Sequence, residues 1–536
     1  MALVDDGSFR RAVENIGKWG DTDVFPFPIE NHVMHDRTDD VITLLKQIPP
    51  KFREYINTDG LHSYSTLAPV GYTGFRWATQ IDPMWNAYLL SLVISMASDI
   101  EQQRIPEDAK TVFSYRYRPR SSSLFSKDGW KNFQDRTRSL AESHGYVVTV
   151  DIADFYSRIY HHRLENALQN ADPGKNKAPQ VMHILGTISN GTSYGLPVGG
   201  PAARLLAELV LSRVDYLLMA SPEIGPFCRY ADDYRFFVND LQKAYRILGF
   251  LSEKLLRNEG LSLQKSKTRI MTSTEYLSVL DPPNPPPGSA VRFLGLHIHF
   301  DPYSTTAVED YEKLKAQLSQ FDILGLLRSE LTKGRIHAAL TRRLVNALKF
   351  MDEEPREQAI LSLLENIETL APVVPQVMLA IRDALDSTSN QDFTLQVHRK
   401  VRQLIDESHI ARIELNLSYI IRVLASSRST ENEHTLVRLY GAQHGYGSGI
   451  APIIQRDIML TMARWQAAYW LSDQKNYFHN FHPWVKRAFV IGSYYLGDEG
   501  KHWRDGNKSA LRPFDLVVRD WAASKRNGAG DWKVPI

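Results

Sequence analysis

The sequence predicts an α+β domain followed by an all-α half. Two apolar, β-branched runs, residues 145–151 and 227–238, carry carboxylates at an end or in the middle. They are interleaved with helical patterns as far as about residue 300. Beyond residue 305 helical runs follow one another and strand signals almost vanish. At 536 residues the chain exceeds what one hydrophobic core ordinarily holds. The expected division is an N-terminal extension over 1–60, an α+β body over 61–304 and a helical domain over 305–536.

Taken in order, Phe9 to Ile16 has the spacing of a short amphipathic helix. Phe25-Pro-Phe-Pro28 must be extended, because proline disfavours a helical residue before it. Val41 to Ile48 reads as a second helix and 84–103 as one long buried helix. Residues 145–151 read as a buried strand ending in Asp151. A helix over 200–219 follows, with Leu205, Leu206, Leu209, Val210 and Leu217 at apolar positions. Residues 227–238 read as strand, with a turn-like Ala-Asp-Asp inside, and 241–259 as helix. The proline-rich Asp281–Gly288 reads as a stiff surface connection, and 291–300 alternates like a strand.

The helical half then offers runs at 308–328, 335–350, 354–369, 375–386, 393–406, 409–426, 432–441, 453–472 and 483–496. They pair at loosely 40-residue intervals, as in helical repeats, although no consensus recurs.

Composition, 43% hydrophobic and 23% charged, fits a folded chain. A formal charge of +2 neither demands nor excludes a nucleic-acid partner, because a local basic surface hides in a neutral whole. The single cysteine, Cys228, excludes an intrachain disulfide and fits a reducing, cytoplasmic setting. The N-terminus lacks a basic start followed by an apolar run. No stretch approaches the ~18 apolar residues of a membrane span, so no membrane partner is expected.

The chemistry is carried by two acidic strand ends, Val148-Thr-Val-Asp151-Ile-Ala-Asp154-Phe-Tyr156 and Phe227-Cys-Arg-Tyr230-Ala-Asp232-Asp233. Unpaired carboxylates at the edge of a core are costly, and side by side they make a cluster able to hold two Mg²⁺ ions about 3.5–4 Å apart. Mg²⁺ suits such a site because it takes oxygen ligands and keeps waters and phosphates in its shell. Mn²⁺ is the alternative ion.

These segments resemble reverse transcriptases. Tyr230-Ala-Asp-Asp233 is similar to that family's YxDD box, and Asp151 to Tyr156 to its first acidic motif. Gly195-Leu-Pro-Val-Gly-Gly-Pro201 before a helix resembles the next motif in that family's order. Gly260-Leu-Ser-Leu-Gln-Lys-Ser-Lys267 and Phe293-Leu-Gly295 resemble the two that follow. Gly74-Phe-Arg76-Trp resembles the fingers motif, so the ordered set spans roughly residues 70–300. The resemblance implies a fingers–palm core and DNA synthesis from dNTPs. It makes Asp151 and Asp232 metal ligands, with Asp233 beside them and the Ile152 carbonyl near the ions. Asp154, Phe155 and Tyr156 would line the nucleotide, Tyr156 as a steric gate against a 2′-hydroxyl. Arg76 would hold the triphosphate, Lys267 or Lys265 would protonate pyrophosphate, and Pro197, Gly199 and Gly200 would let the backbone approach the nascent pair.

Val198 stands where template-copying members usually carry glutamine. The Gly-Leu-Pro-Val-Gly-Gly-Pro run and Gly20-Asp-Thr-Asp-Val-Phe-Pro-Phe-Pro28 resemble bacterial abortive-infection and other defence-associated reverse transcriptases instead. That likeness implies antiviral defence, untemplated synthesis, a protein hydroxyl as primer and tyrosine-linked single-stranded DNA. It also implies RNA as a further partner and a homo-oligomer. The alternatives are a templated enzyme of the retron or intron type and a scaffold with a degenerate palm.

Other features read two ways. Arg116, Arg118 and Arg120, interleaved with Tyr115 and Tyr117, place arginines on one strand face, for nucleic acid or for solvent. His161-His162 face different ways on a helix, and His297 and His299 lack acidic or cysteine partners, so neither pair reads as a metal site. The aromatics from Trp465 to Trp503 suit a core at helical spacing, or a single-strand channel.

Overall fold

The computed structural model describes residues 3–280, 288–294, 296, 307–446, 449–528 and 532–536. They form two compact units. The first comprises Met1–Ser65, Trp77–Pro282 and Ser509–Trp521; the second comprises Thr66–Arg76, Pro283–Lys508 and Ala522–Ile536.

Six strands are described: β1 (Ser63–Val70), β2 (Gly74–Ile81), β3 (Tyr146–Asp151), β4 (Phe227–Tyr230), β5 (Asp233–Val238) and β6 (Arg269–Thr272). β1 and β2 form a two-stranded sheet. The other four make an antiparallel sheet in the order β4-β5-β3-β6. β3, all β-branched between Tyr146 and Asp151, takes a central place and is buried from Val147 onward. Its register pairs Val147 with Phe237, Thr149 with Arg235 and Asp151 with Asp233. On one side of the sheet Val147, Cys228 and Phe237 pack with Phe133, Leu140 and Tyr276.

The helix Pro201–Met219 begins with proline in its first turn, where the missing N–H costs nothing. It buries Leu205, Leu206, Leu209 and Val210 as expected, leaves Leu217 half-buried, and also buries Glu208 and Asp215. The expected helix over 84–103 breaks at Ser95–Met96 into Pro83–Ile94 and Ala97–Gln102. There the Lys177 ammonium donates to the Ser95 carbonyl, and the Ser95 hydroxyl bonds back to Leu92. The strand expected over 291–300 is overturned where it is described, because Ala290–Leu294 is helical. Ser289 starts that turn, its carbonyl accepting from Phe293 and its hydroxyl from Arg292, and Ala, Arg and Leu favour a helix. Most of the proline-rich connection, Gly295, His297 and His299 lie outside the described residues.

Among its described residues the second unit is helical apart from the hairpin tip Thr66–Arg76. The tip is tied into it by Thr66 Oγ1 donating to Glu414 (2.7 Å) and Tyr72 Oη to the Thr369 carbonyl (2.8 Å). Ala338–Ala347, Val374–Ser387, Glu414–Leu424, Pro452–Arg464 and Pro483–Gly492 pack in series, starting about 31–40 residues apart. That is the stacking of a repeat array. The run expected at 308–328 is two helices, Ala307–Leu318 and Ile323–Leu331, and 453–472 is interrupted after Arg464. Most of the late aromatics are core: Trp465, Trp470 and Trp484 are buried, and Trp503 packs edge-on against Phe478 and Phe489. Tyr469 and Tyr477 are exposed. Among the described residues no helix is long and apolar enough to cross a membrane.

Candidate active site

The β3–β5 register sets Asp151 directly opposite Asp233. Asp232 lies next to it in the β4–β5 turn, and its carbonyl accepts the Ile152 N–H at 3.2 Å. The turn is possible because Ala231 adopts a left-handed conformation (φ 52°), which its small side chain tolerates better than a branched one would. Ile152 bridges to Leu263, the Asp151 carbonyl accepts from Gln264 N–H (2.8 Å), and Ala153 N–H donates to Ser262. The segment after Gly260 is thereby strapped to the end of β3. Lys267 follows from that strapping, and its ammonium contacts Asp151 Oδ2 at 2.8 Å.

The electrostatics follow from the crowding. Burial pushes the Asp232 carboxyl up to about 6, with Asp151 and Asp233 adding like charge and Lys267 offsetting part of it. Asp233 is also raised, mainly by burial, although Arg235 Nη1 sits 3.3 Å from its carboxylate. Burial lowers Lys267, but its hydrogen bond and charge pairing with Asp151 outweigh that and leave it raised. Three carboxylates thus share two partly exposed cations.

Among the described residues no three His, Cys, Asp or Glu side chains converge at metal-binding spacing as they stand, and Asp151 is engaged by Lys267 instead. The donor set itself fits a hard cation. It is all oxygen, and a carboxyl raised to about 6 by burial, with Asp151 and Asp233 adding like charge, marks a place that favours added positive charge.

Behind the turn lies a feature the sequence reading missed. Arg229, fully buried on β4, donates to Asp215 (2.6 and 2.8 Å), to Glu208 (3.0 and 3.2 Å) and to the Ala231 carbonyl (2.9 Å). Every N–H of the guanidinium is used, and one bond fixes the left-handed residue that aims Asp232. Arg104 adds a second cation to Glu208 at 2.7 Å, and Ser114 donates a hydroxyl to it. Burial holds Asp215 above the usual carboxylate range, whereas the doubly contacted Glu208 lies below it. The signal was present in the spacing of Glu208 and Asp215, seven apart on an apolar helix, which asks for a buried cation.

The remaining expected residues divide. Asp154 is exposed with a left-handed backbone (φ 48°), and Phe155 is buried. Tyr156 lies beneath, its phenol raised well above its ordinary value by burial, with Tyr115, Glu208 and Asp232 in electrostatic reach. The Tyr156 carbonyl accepts from Leu196 and the Ile159 carbonyl from Gly195, so the loop containing Pro197 and Gly199 is laced to the Tyr156 segment. Gly199 (φ 99°) is held from the far side by the N-terminal segment: a Cβ there would meet Asp23 Oδ1 at 2.3 Å and Thr22 Oγ1 at 2.5 Å. That segment is itself anchored by Asp21 to Gln80 (2.7 Å) and Asn31 (3.1 Å) and by Asp23 to Arg204 (2.8 Å). Thr22 Oγ1 donates to the Val198 carbonyl at 3.3 Å. Arg76 is exposed on β2 and is counted with the second unit. Lys265 is exposed beside the strapped segment.

Arg116 does not serve a nucleic-acid stripe. It is buried, bonded to the Val112 and Ile105 carbonyls and to Glu101, and the segment is turn rather than strand. Arg118 pairs with Glu107. His161 is a satisfied core histidine against the Gly195 carbonyl at 2.7 Å.

Residues 96–298 match the family model for reverse transcriptase (RNA-dependent DNA polymerase). A reverse transcriptase domain is therefore present, and with it a nucleotidyltransferase of that class, its core followed by a helical C-terminal region. Two solved structures are similar over much of their length. One is a telomerase from Candida albicans in complex with the TWJ fragment of telomeric RNA (11% identity, 72% of this chain and 69% of that one, TM-score 0.30). The other is apo telomerase from Candida tropicalis (9%, 65% and 73%, TM-score 0.30). No curated protein matches the chain.

Proposed function

We propose that the domain makes DNA from dNTPs at a divalent-metal centre built on Asp151 and Asp232, with Asp233 beside them. The observation that carries this is the β3–β5 register, which brings the two acidic motifs to one sheet end. Mg²⁺, or Mn²⁺ in its place, would supply activation of the attacking hydroxyl and stabilisation of leaving pyrophosphate. The chain's own groups would do the rest. Tyr156, whose carbonyl accepts the Leu196 N–H, would close the space beside the sugar and favour dNTPs. Lys267 would exchange its contact with Asp151 for the leaving pyrophosphate and give it a proton. Arg76 would bind the triphosphate as a guanidinium fork. Asp154, Phe155, Pro197, Gly199 and the Ile152 carbonyl would complete the nucleotide surroundings.

Synthesis without a template is part of the proposal. Val198 offers no polar side chain to a template base, and its carbonyl is engaged by Thr22. A protein hydroxyl as primer, tyrosine-linked product, antiviral defence in the cytoplasm and homo-oligomers are supported by the likeness to defence-associated enzymes alone.

The test is incubation of the full chain with Mg²⁺ and labelled dNTPs, with and without added RNA. Incorporation without RNA, with label remaining on protein after nuclease, is expected. Product that forms only with RNA would overturn untemplated synthesis, and incorporation undiminished in Asp151→Asn and Asp232→Asn would overturn the site.

A further inference from the structure

Beside the Tyr156–Leu196 junction lies a cavity of about 340 Å³, of whose lining residues only Pro197 enters the proposed reaction. It is within the size range of small-ligand sites. Ser157, Ile188, Asn190, Leu196, Pro197 and Thr79 are among its lining residues. Two large aromatic rings project into solvent at it, Trp77 (60% exposed) and Tyr194 (50% exposed). Tyr194 is stacked on Tyr160 at 5.0 Å, which holds its plane in place. None of the residues lining the cavity carries a charge.

That combination selects a ligand by elimination. With no cation, the cavity gives nothing to a phosphate. With hydroxyls and an amide among its walls, it is not a purely apolar hole. Two ring faces, one braced from behind, suit a flat neutral heterocycle, and the Asn190 amide offers both a donor and an acceptor to its edge. We infer that this cavity holds an unpaired nucleobase of a single strand bound at the domain, stacked against Trp77 and Tyr194. The inference rests on the polymerase reading for the presence of a strand. It adds a base-holding subsite made by β2 and the Asn190–Pro197 loop, one residue beyond the candidate gate. Stacking reads no sequence, so the subsite would grip a strand whatever its bases, as untemplated synthesis requires.

The experiment uses the full chain and a single-stranded oligodeoxynucleotide carrying 2-aminopurine, with the matching oligoribonucleotide as the second arm. Stacking quenches 2-aminopurine, and anisotropy reports affinity. Quenching is expected in the unaltered chain, with affinity falling roughly ten- to a hundredfold in Trp77→Ala and Tyr194→Ala. Trp77→Phe, which keeps a ring face, should retain most of the quenching. Both side chains are half-exposed or more, so their removal leaves the core intact. Quenching confined to the DNA arm or to the RNA arm identifies which strand the subsite takes. Quenching and affinity unchanged by both alanine variants would overturn the inference. The readout needs no turnover, so absent dNTP incorporation with quenching intact would count against the polymerase reading alone.

Discussion

The β4–β5 hairpin carries ionised side chains on both faces, and the two sets obey opposite rules. On the face toward the helix Pro201–Met219, Arg229 and Arg104 meet Glu208 and Asp215, two cations for two anions, each almost wholly buried. On the other face Asp233 and its ladder partner Asp151, with Asp232 in the turn, meet Lys267 and Arg235 among the described residues. The first set is balanced and closed to solvent, which fits a structural role. The second is short of positive charge, with three carboxylates against two partly exposed cations. The Arg229–Ala231 bond joins them, so the buried set holds the turn that carries Asp232.

Deleting charge from each face should separate the roles. The largest effect is expected from Asp151→Asn or Asp232→Asn: incorporation falls by on the order of 10³-fold or more, while the melting temperature holds or rises. A thermal melt beside the dNTP assay checks both halves. Arg229→Ala should do the reverse kind of damage. Two buried carboxylates would lose their principal partner, at about 3–5 kcal/mol, and denaturant unfolding should reveal it. Arg229→Lys keeps the charge but not the fork. Loss of the Ala231 bond should then lower kcat more than it raises KM, an outcome that simple unfolding would not give.

The convergence of the front set was legible in the sequence because both acidic positions end or interrupt β-branched apolar runs, where an unpaired carboxylate is costly. The back set was not, although all its members are in plain view. Arg229 reads as one polar residue in a short strand, and only the topology reveals that Glu208 and Asp215 face it. The same gap explains Arg116. Alternation with tyrosines placed it on a basic stripe, whereas carbonyls from two turns and Glu101 enclose it. Long helices and the repeat-like spacing were legible from periodicity. Breaks such as that at Ser95 were not, because the side chain that captures its carbonyl, Lys177, is 82 residues away.

The comparison sharpens with pH. Asp232, at about 6 in the fold and 3.8 ordinarily, is an acid whose pKa is raised, so folding favours its protonated form. Stability contributed by this group therefore rises as pH falls from above 6 toward 4, and at neutral pH its ionised form is a cost. In EDTA, Asp232→Asn should add about 1–2 kcal/mol at pH 7.5, and the gain should vanish near pH 4. Added Mg²⁺ should stabilise the unaltered chain and do little for the variant. A gain independent of pH would mean that the balanced and unbalanced faces do not differ as described.

The smallest effect is expected at Lys267. Its side chain is 63% exposed and its bond to Asp151 is open to water, so Lys267→Ala should change the melting temperature by less than the equivalent of about 1 kcal/mol. Removing the cation on Asp151 should push the Asp232 carboxyl higher still, because Lys267 is one of the charges holding it down. The rate of incorporation should then fall modestly, by roughly ten- to a hundredfold, with a pH optimum shifted upward. If Lys267→Ala instead lowered stability as much as Arg229→Ala, the front face would be a second structural network. The excess of carboxylates there would then need an explanation other than a bound cation.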